Sequence, residues 1–122
     1  MQRAYSIKGR KIFQTIYKFG ERKNGQSVRI ITLPDKKFSD LQIDSRVSPK
    51  VKIAIVINKK YGKAWERNKA KRRVRAICSG FIKELQDGFY IVINPKNESK
   101  RVSYQKIESE LKFLLKKSGL IK

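Results

Sequence analysis

Residues 51–57, VKIAIVI, and residues 89–93, FYIVI, are the stretches whose reading decides the fold. Each is a short apolar run rich in β-branched types, closed by turn chemistry: Asn58 after the first, Asn94-Pro95 after the second. The near-continuous apolar character of 51–57 predicts a strand buried on both faces, hence a central one. Between the two runs, Ala70, Val74, Ile77, Cys78, Phe81 and Leu85 recur at helical spacing, which predicts a long helix from Ala64 to Gln86 ended by Asp87-Gly88. A strand, a helix and a strand in succession place helices against a sheet.

Outward from this centre, residues 27–33, SVRIITL, read as another strand, stopped by Pro34, with an extra short strand near 22–26. The text from Pro34 to Pro49 is polar and turn-rich and reads as a long loop, with room for a short turn of its own. At the N-terminal end, Ser6 is an N-cap candidate, and Ile12, Phe13, Ile16 and Tyr17 fall on one helical face. Gly9 weakens the first turn, and Gly20 stands where a C′ glycine would end the helix. At the other end, Ser103 caps a last helix with Ile107, Leu111, Leu114 and Leu115 on one face. Lys112, Lys116 and Lys117 sit near its C-terminus, where the dipole favours cations, and Gly119 follows as C′. The expected fold is an α/β (α+β) two-layer single domain spanning 1–122. Its order is α-β-β-α-β-α, with a mixed sheet of about four strands.

The charge bounds the function. The 122 residues carry 31 Lys and Arg against 10 Asp and Glu, a formal net charge of +21. Self-repulsion at that level costs stability, and a polyanionic partner relieves it through counterion release. One cysteine, Cys78, and no histidine exclude a zinc finger, a Ser-His-Asp triad and histidine acid–base chemistry. The lone thiol lies in the apolar stripe and reads as inert core. No apolar run approaches the ~18 residues of a membrane span, and the first residues lack the apolar core of a signal peptide. A cytoplasmic protein with no membrane partner is the expectation.

The basic residues are not scattered. Between Asn58 and Arg75 stand nine of them and one acid, Glu66. At about 100° per residue, Arg67, Asn68, Lys71, Arg72 and Arg75 share a face beside the apolar stripe, with Lys69 and Arg73 further round. A solvated helix face ordinarily alternates sign, whereas Arg67/Lys71 and Lys71/Arg75 are like-charge i,i+4 pairs that destabilise an isolated helix. Such uniformity points to an anionic ligand. Arg can grip phosphate bidentately, Lys acts as a point charge, and Asn68 can bond phosphate, sugar or a base edge. Lys59, Lys60 and Lys63 lie on a loop around Gly62, which permits close backbone approach. For Lys63 a solvated loop position is an equal alternative. Tyr61 and Trp65 flank the cluster, and either could stack on a base; Trp65 could equally seal the start of the helix.

The wording of this stretch, KKYGKAWERNKAKRRVRAI, resembles the basic motif of the protein subunit of bacterial ribonuclease P. That family shows a Lys-Lys-x-Gly-x-Ala loop, then Arg-Asn-Arg, then Lys-Arg and a further Arg along one helix. The matches are Lys59, Lys60, Gly62, Ala64, Arg67, Asn68, Lys71, Arg72 and Arg75. Lys69 replaces the usual Arg, keeping the charge and losing the fork; Trp65 and Glu66 are less usual. Phe13-Gln14-x-x-Tyr17-x-x-Gly20 is similar to the family's first-helix motif, and the likeness extends over nearly the whole chain.

The resemblance implies a ribosomal-protein-like fold with a left-handed βαβ crossover. It implies a subunit that binds the ribonuclease P catalytic RNA and precursor tRNA and promotes endonucleolytic removal of the 5′ leader. The RNA would do the chemistry with Mg²⁺; the protein itself would bind no cofactor and need no obligate protein partner. On this reading Lys59, Lys60, Lys63, Arg67, Asn68, Lys69, Lys71, Arg72 and Arg75 contact RNA. Phe13, Tyr17 and Ile31 would line a cleft for the leader, Ile31 standing where the family has an aromatic. From the residues alone, Phe13 and Tyr17 are either stacking platforms or core. The carboxylates closest together, Asp35, Asp40 and Asp44, read as solvated loop acids rather than as a two-metal nuclease site. Two other classes share the charge: a ribosomal or other structural RNA-binding protein without a processing role, and a DNA-binding architectural protein. The second lacks any helix-turn-helix, zipper or zinc pattern here.

Overall fold

Helix α1, Arg10–Phe19, turns Ile12, Phe13, Ile16 and Tyr17 toward one side, and that side packs on a sheet. A computed structural model describes residue 7 and residues 10–34, 36–37 and 51–121. Ser6 and Gly9, and most of the loop from Pro34 to Pro49 with Asp35, Asp40 and Asp44, lie outside the described residues. Gly20 closes α1 through its N–H to the Ile16 carbonyl at 2.7 Å. Its role is one of space: a Cβ there would fall inside 3.0 Å of the Ile16 carbonyl oxygen and of the Ile31 side chain. Only glycine lets the chain pass from α1 directly into the sheet.

Four strands follow the expected order: β1 (Glu21–Asn24), β2 (Val28–Pro34), β3 (Lys52–Ile55) and β4 (Phe89–Pro95), with α2 (Ala64–Phe81) between the last two and α3 (Tyr104–Lys117) at the end. The sheet order is β1-β2-β4-β3; β1/β2 and β2/β4 are antiparallel and β3/β4 parallel. Among the described residues the mixed four-stranded sheet with helices α1, α2 and α3 is thus as expected, including the short extra strand. The position of β3 is not. It lies at the edge, with β4 as its strand neighbour, and the centre belongs to β2 and β4. Its apolar run reflects cover on both faces rather than pairing on both sides. Ile53 joins the core beneath α2 and α3, while Ala54 and Val56 pack with the cluster beneath α1.

That division follows the period-two alternation of strands. Val28 and Ile30 of β2, with Ile91 and Ile93 of β4, face the larger core against Val74, Ile77, Phe81, Ile107, Leu111, Leu114 and Leu115. Ile31 and Leu33, with Tyr90 and Val92, face the opposite way and meet Ile16. The stripe read from sequence on α2 is buried throughout, from Ala70 to Leu85. The helix is nevertheless shorter than expected. It gives way to a 3₁₀ turn, Ile82–Glu84, and Leu85 forms a β-bridge with Ile121 while Gln86 N–H bonds the Leu120 carbonyl at 2.8 Å. The C-terminal tail thus captures the backbone that would have prolonged the helix. Ser103 caps α3, its Oγ accepting the Lys106 N–H at 3.2 Å, and Gly119 takes φ 81° just beyond.

Candidate nucleic-acid interface

The basic loop is built on a side-chain cap. Asn58 Oδ1 accepts the Lys60 N–H at 2.9 Å and starts a single 3₁₀ turn, Lys59–Tyr61, that leaves Lys59 and Lys60 exposed. Tyr61 goes the other way. It is 5% exposed, with its hydroxyl 3.0 Å from Ser99 Oγ, so it offers no stacking face and belongs to the scaffold. Gly62 has φ 155°, a conformation that favours glycine, and a Cβ there would also press on the Glu66 carboxylate at 2.7 Å.

Glu66 is explained by the same corner. Its Oε1 accepts the Lys63 N–H at 3.1 Å, satisfying a donor at the start of α2, and its Oε2 lies 3.3 Å from Lys100 Nζ. A lysine ammonium cannot accept a bond, so only the glutamate half of a capping box forms. The Lys63 N–H first, and Lys100 second, hold the Glu66 carboxyl below the usual carboxylate range. The one acid in the basic stretch is thereby paired at the start of α2 on its Lys100 side, and the depression carrying Asn68, Lys71, Arg72 and Arg75 has no acid in its walls.

That face is assembled as the helical wheel predicts. Asn68, Lys71, Arg72 and Arg75 line one open depression of about 460 Å³, with Trp65 at its end. Arg67 is half-buried at the margin next to the apolar stripe. Lys69 and Arg73 lie on the other flank beside Lys100. Arg73 is partly spoken for, since its guanidinium donates to the Val102 carbonyl at 3.1 Å and fastens α2 to the segment before α3. Trp65 is 64% exposed and seals nothing.

A second concavity, about 410 Å³, opens between the end of α1, the sheet and the basic loop. Tyr17, Arg29, Asn58, Lys60, Asn94 and Lys96 are among its walls. Arg29 and Asn94 are direct cross-strand partners of β2 and β4. With its amide oriented to suit its neighbours, Asn94 donates to the Val56 carbonyl at 2.9 Å and accepts from the Arg29 guanidinium at 3.1 Å. Sequence reading missed both residues. The available signal was Arg29 itself, a charge on the face of β2 that otherwise carries Ile31 and Leu33 into the core. Of the three residues assigned to a cleft, Tyr17 does form its wall. Phe13 is half-buried among the side chains under α1. Ile31 must be corrected: it is fully buried beneath Gly20 and presents no surface to a ligand.

Cys78 is buried, and desolvation pushes its thiol up to about 12, so it is neither a thiolate nor a nucleophile near neutrality. Among the described residues no group of three His, Cys, Asp or Glu side chains is placed to hold a metal ion, and no helix is long and apolar enough to cross a membrane. The geometry therefore offers cation arrays, hydrogen-bond donors and one exposed indole. Such arrays should bind simple anions. Sulfate at ten times its Kd would stabilise the fold by about 1.4 kcal/mol, a rise of on the order of 4 °C in Tm. Thermal melts in sulfate against chloride at matched ionic strength measure this, and equal midpoints would contradict it.

Comparison with known proteins agrees with this geometry. A sequence model of the family described as Ribonuclease P matches residues 1–119. The ribonuclease P protein component of Acholeplasma laidlawii is 35% identical over 124 aligned residues, covering 99% of this chain and 95% of the relative. That of a Picosynechococcus species is 32% identical over 116 residues, covering 94% and 90%. Among solved structures, the ribonuclease P protein from Thermotoga maritima is similar with a TM-score of 0.74 at 27% identity, over 92% of this chain and 96% of that one. The ribonuclease P protein of Staphylococcus aureus shares the fold with a TM-score of 0.79 at 24% identity, over 97% and 98%.

Proposed function

We propose, because this chain belongs to the bacterial ribonuclease P protein family, that it binds the catalytic RNA of that enzyme and the 5′ leader of precursor tRNA, and so promotes removal of the leader. The observation that carries the reading is the outer face of α2. Asn68, Lys71, Arg72 and Arg75 converge there with Arg67 at the margin, while Glu66 is tied to Lys63 and Lys100. Cations one turn apart on a rigid helix match the spacing of a phosphate backbone, and each phosphate neutralised releases counterions.

The concavity between α1 and the basic loop suits a different stretch of RNA. It offers Arg29, Lys60 and Lys96 for phosphates, the edge of Tyr17 for a base, and amides of Asn58 and Asn94 for either. We assign the single-stranded leader to it and the structured RNA subunit to α2, Lys59 and Lys63. On this reading phosphodiester hydrolysis would belong to the RNA subunit, where Mg²⁺ would supply Lewis-acid chemistry. This chain's residues bind, orient and screen charge, so that less Mg²⁺ is needed. A cytoplasmic location fits tRNA maturation.

The test is reconstitution. The chain is mixed with a bacterial ribonuclease P RNA and a precursor tRNA at low Mg²⁺. Restored 5′-leader removal, with no cleavage by the chain alone, is the expected result. Unenhanced cleavage would instead make the chain a general RNA-binding protein.

A further inference from the structure

Trp65 has no structural task that explains it. It stands on the first turn of α2, on the side away from the core stripe, with 64% of its surface exposed. Among the described residues neither its indole N–H nor its ring has a hydrogen-bond or ring partner. Lysines do cover other rings: Lys100 lies 4.6 Å from the Tyr61 centroid, and Lys18, Lys112 and Lys117 approach Phe19, Phe81 and Phe113. Tryptophan is the strongest cation–π acceptor of the three aromatic types. Yet in this chain of +21 its ring is left open.

What surrounds the ring is specific. On one side it ends the depression lined by Asn68, Lys71, Arg72 and Arg75; on the other it borders a smaller one beside Lys69, Arg73 and Lys100, where Glu66 is also a wall, paired with Lys100. An open π-face at the end of a depression whose charged walls are all cations is complementary to a nucleotide in an unpaired strand. The base covers the indole, and the phosphates on either side reach the cations. An apolar peptide would have to desolvate those cations without return. A base within a duplex has both faces already stacked and cannot use the ring. Asn68, one turn further along, carries both a donor and an acceptor for a base edge. The depression shares no lining residue with the concavity assigned to the leader.

We propose that Trp65 is a stacking platform for one unpaired base of the catalytic RNA subunit, with Asn68 at the edge of that base and Lys71 and Arg72 on its flanking phosphates. The proposal rests on the functional reading above and adds to it a residue and a ligand: a bulged or looped-out nucleotide.

The chain has a single tryptophan, so its emission reports this site alone. The full-length protein is titrated with a bacterial ribonuclease P RNA transcript, and separately with precursor tRNA. Strong quenching by the RNA subunit alone is expected, with little further change when precursor is added. W65A and W65L should bind the RNA subunit on the order of tenfold more weakly, while W65F and W65Y stay within about threefold of wild type. The thermal midpoint should hold in all four, since the residue is 64% exposed and lies outside both core clusters. Unchanged emission at saturating RNA overturns the proposal, as does W65L binding like wild type. Quenching by the precursor only overturns the assignment to the RNA subunit. An R67A/R72A variant run in parallel separates the two levels. If it loses binding and W65A does not, stacking fails and the RNA-binding reading stands; if neither loses binding, both fail.

Discussion

Replacing Arg67 and Arg72 together by alanine is expected to weaken binding to the catalytic RNA roughly 100-fold near 0.1 M salt, at about 1.5 kcal/mol for each charge-assisted bond to phosphate. Neither guanidinium has an ion pair or hydrogen bond among the described residues, so the loss is one of ligand contact and not of scaffold. Removing Arg67 even relieves its like-charge i,i+4 pairing with Lys71, which contributes a few tenths of a kcal/mol of stability, roughly, in the opposite direction. The double variant should therefore melt at or slightly above the wild-type midpoint while losing affinity. Its signature is the salt dependence. With two fewer phosphates neutralised, the slope of log K against log salt should flatten by about 1.5–2. Reconstituted leader removal at low Mg²⁺ should fall in step and recover at high protein concentration. R67K/R72K should regain most of the slope and only part of the affinity, because the charge returns without the fork. Affinity within threefold of wild type, or an unaltered slope, would remove α2 from the interface.

The parts of this protein that could be read from its sequence are those governed by local rules. The stripe from Ala70 to Leu85 and the basic face beside it follow from helical phase alone, and both stand as read. Ser103 and Gly119 follow from terminal chemistry. What escaped depends on neighbours that are remote in sequence. The run 51–57 announces apolar cover on two faces, but not whether a strand pairs on one side or both, so β3 was expected at the centre and lies at the edge. Tyr61 sits among lysines in the chain, yet Ser99 and Lys100, from the 3₁₀ segment Asn97–Arg101 after β4, draw it inward. Ile31 was placed in a cleft by correspondence with a family aromatic. The close passage of Gly20 over it leaves no cleft there.

The site divides in the same way. Its α2 half was legible because one helix carries it. The concavity was not, because Tyr17 comes from α1, Arg29 from β2, Asn94 from β4 and Lys96 from just beyond it, and Arg29 meets Asn94 only through the register of β2 on β4. Glu66 shows why a single charge is hard to interpret from sequence. In the chain it interrupts a cationic run; in space it accepts the Lys63 N–H and pairs with Lys100, so the depression from Asn68 to Arg75 has no acid in its walls.

Glu110→Ala is the second large effect, and it separates the two halves of the interface. The Glu110 carboxylate on α3 accepts the Ser27 N–H at 2.8 Å and the Val28 N–H at 3.3 Å, and also the Ser27 hydroxyl. Ser27 is fully buried and Glu110 half-buried, so truncating the side chain removes the acceptor of three donors that bulk water reaches only in part. The loss should be about 3 kcal/mol, a large share of the ~5–15 kcal/mol that holds a domain of this kind. A fall in Tm of on the order of 10 °C follows. The same turn is bound to the end of β4: Lys96 N–H bonds the Ser27 carbonyl at 2.8 Å and Lys96 Nζ the Gly25 carbonyl at 2.9 Å. Lys96 is a wall of the concavity, and Arg29 lies two residues beyond Ser27. Loosening the turn should therefore blunt the preference for precursor with a leader over one without, at a temperature where the variant is still folded. Binding to the RNA subunit, which the proposal assigns to α2, should stay within about threefold of wild type, since no proposed phosphate contact is removed. E110Q keeps one acceptor oxygen and should restore roughly half of the stability. A midpoint within about 2 °C of wild type for E110A would show that the turn is held by Lys96 alone, and the leader preference should then survive intact.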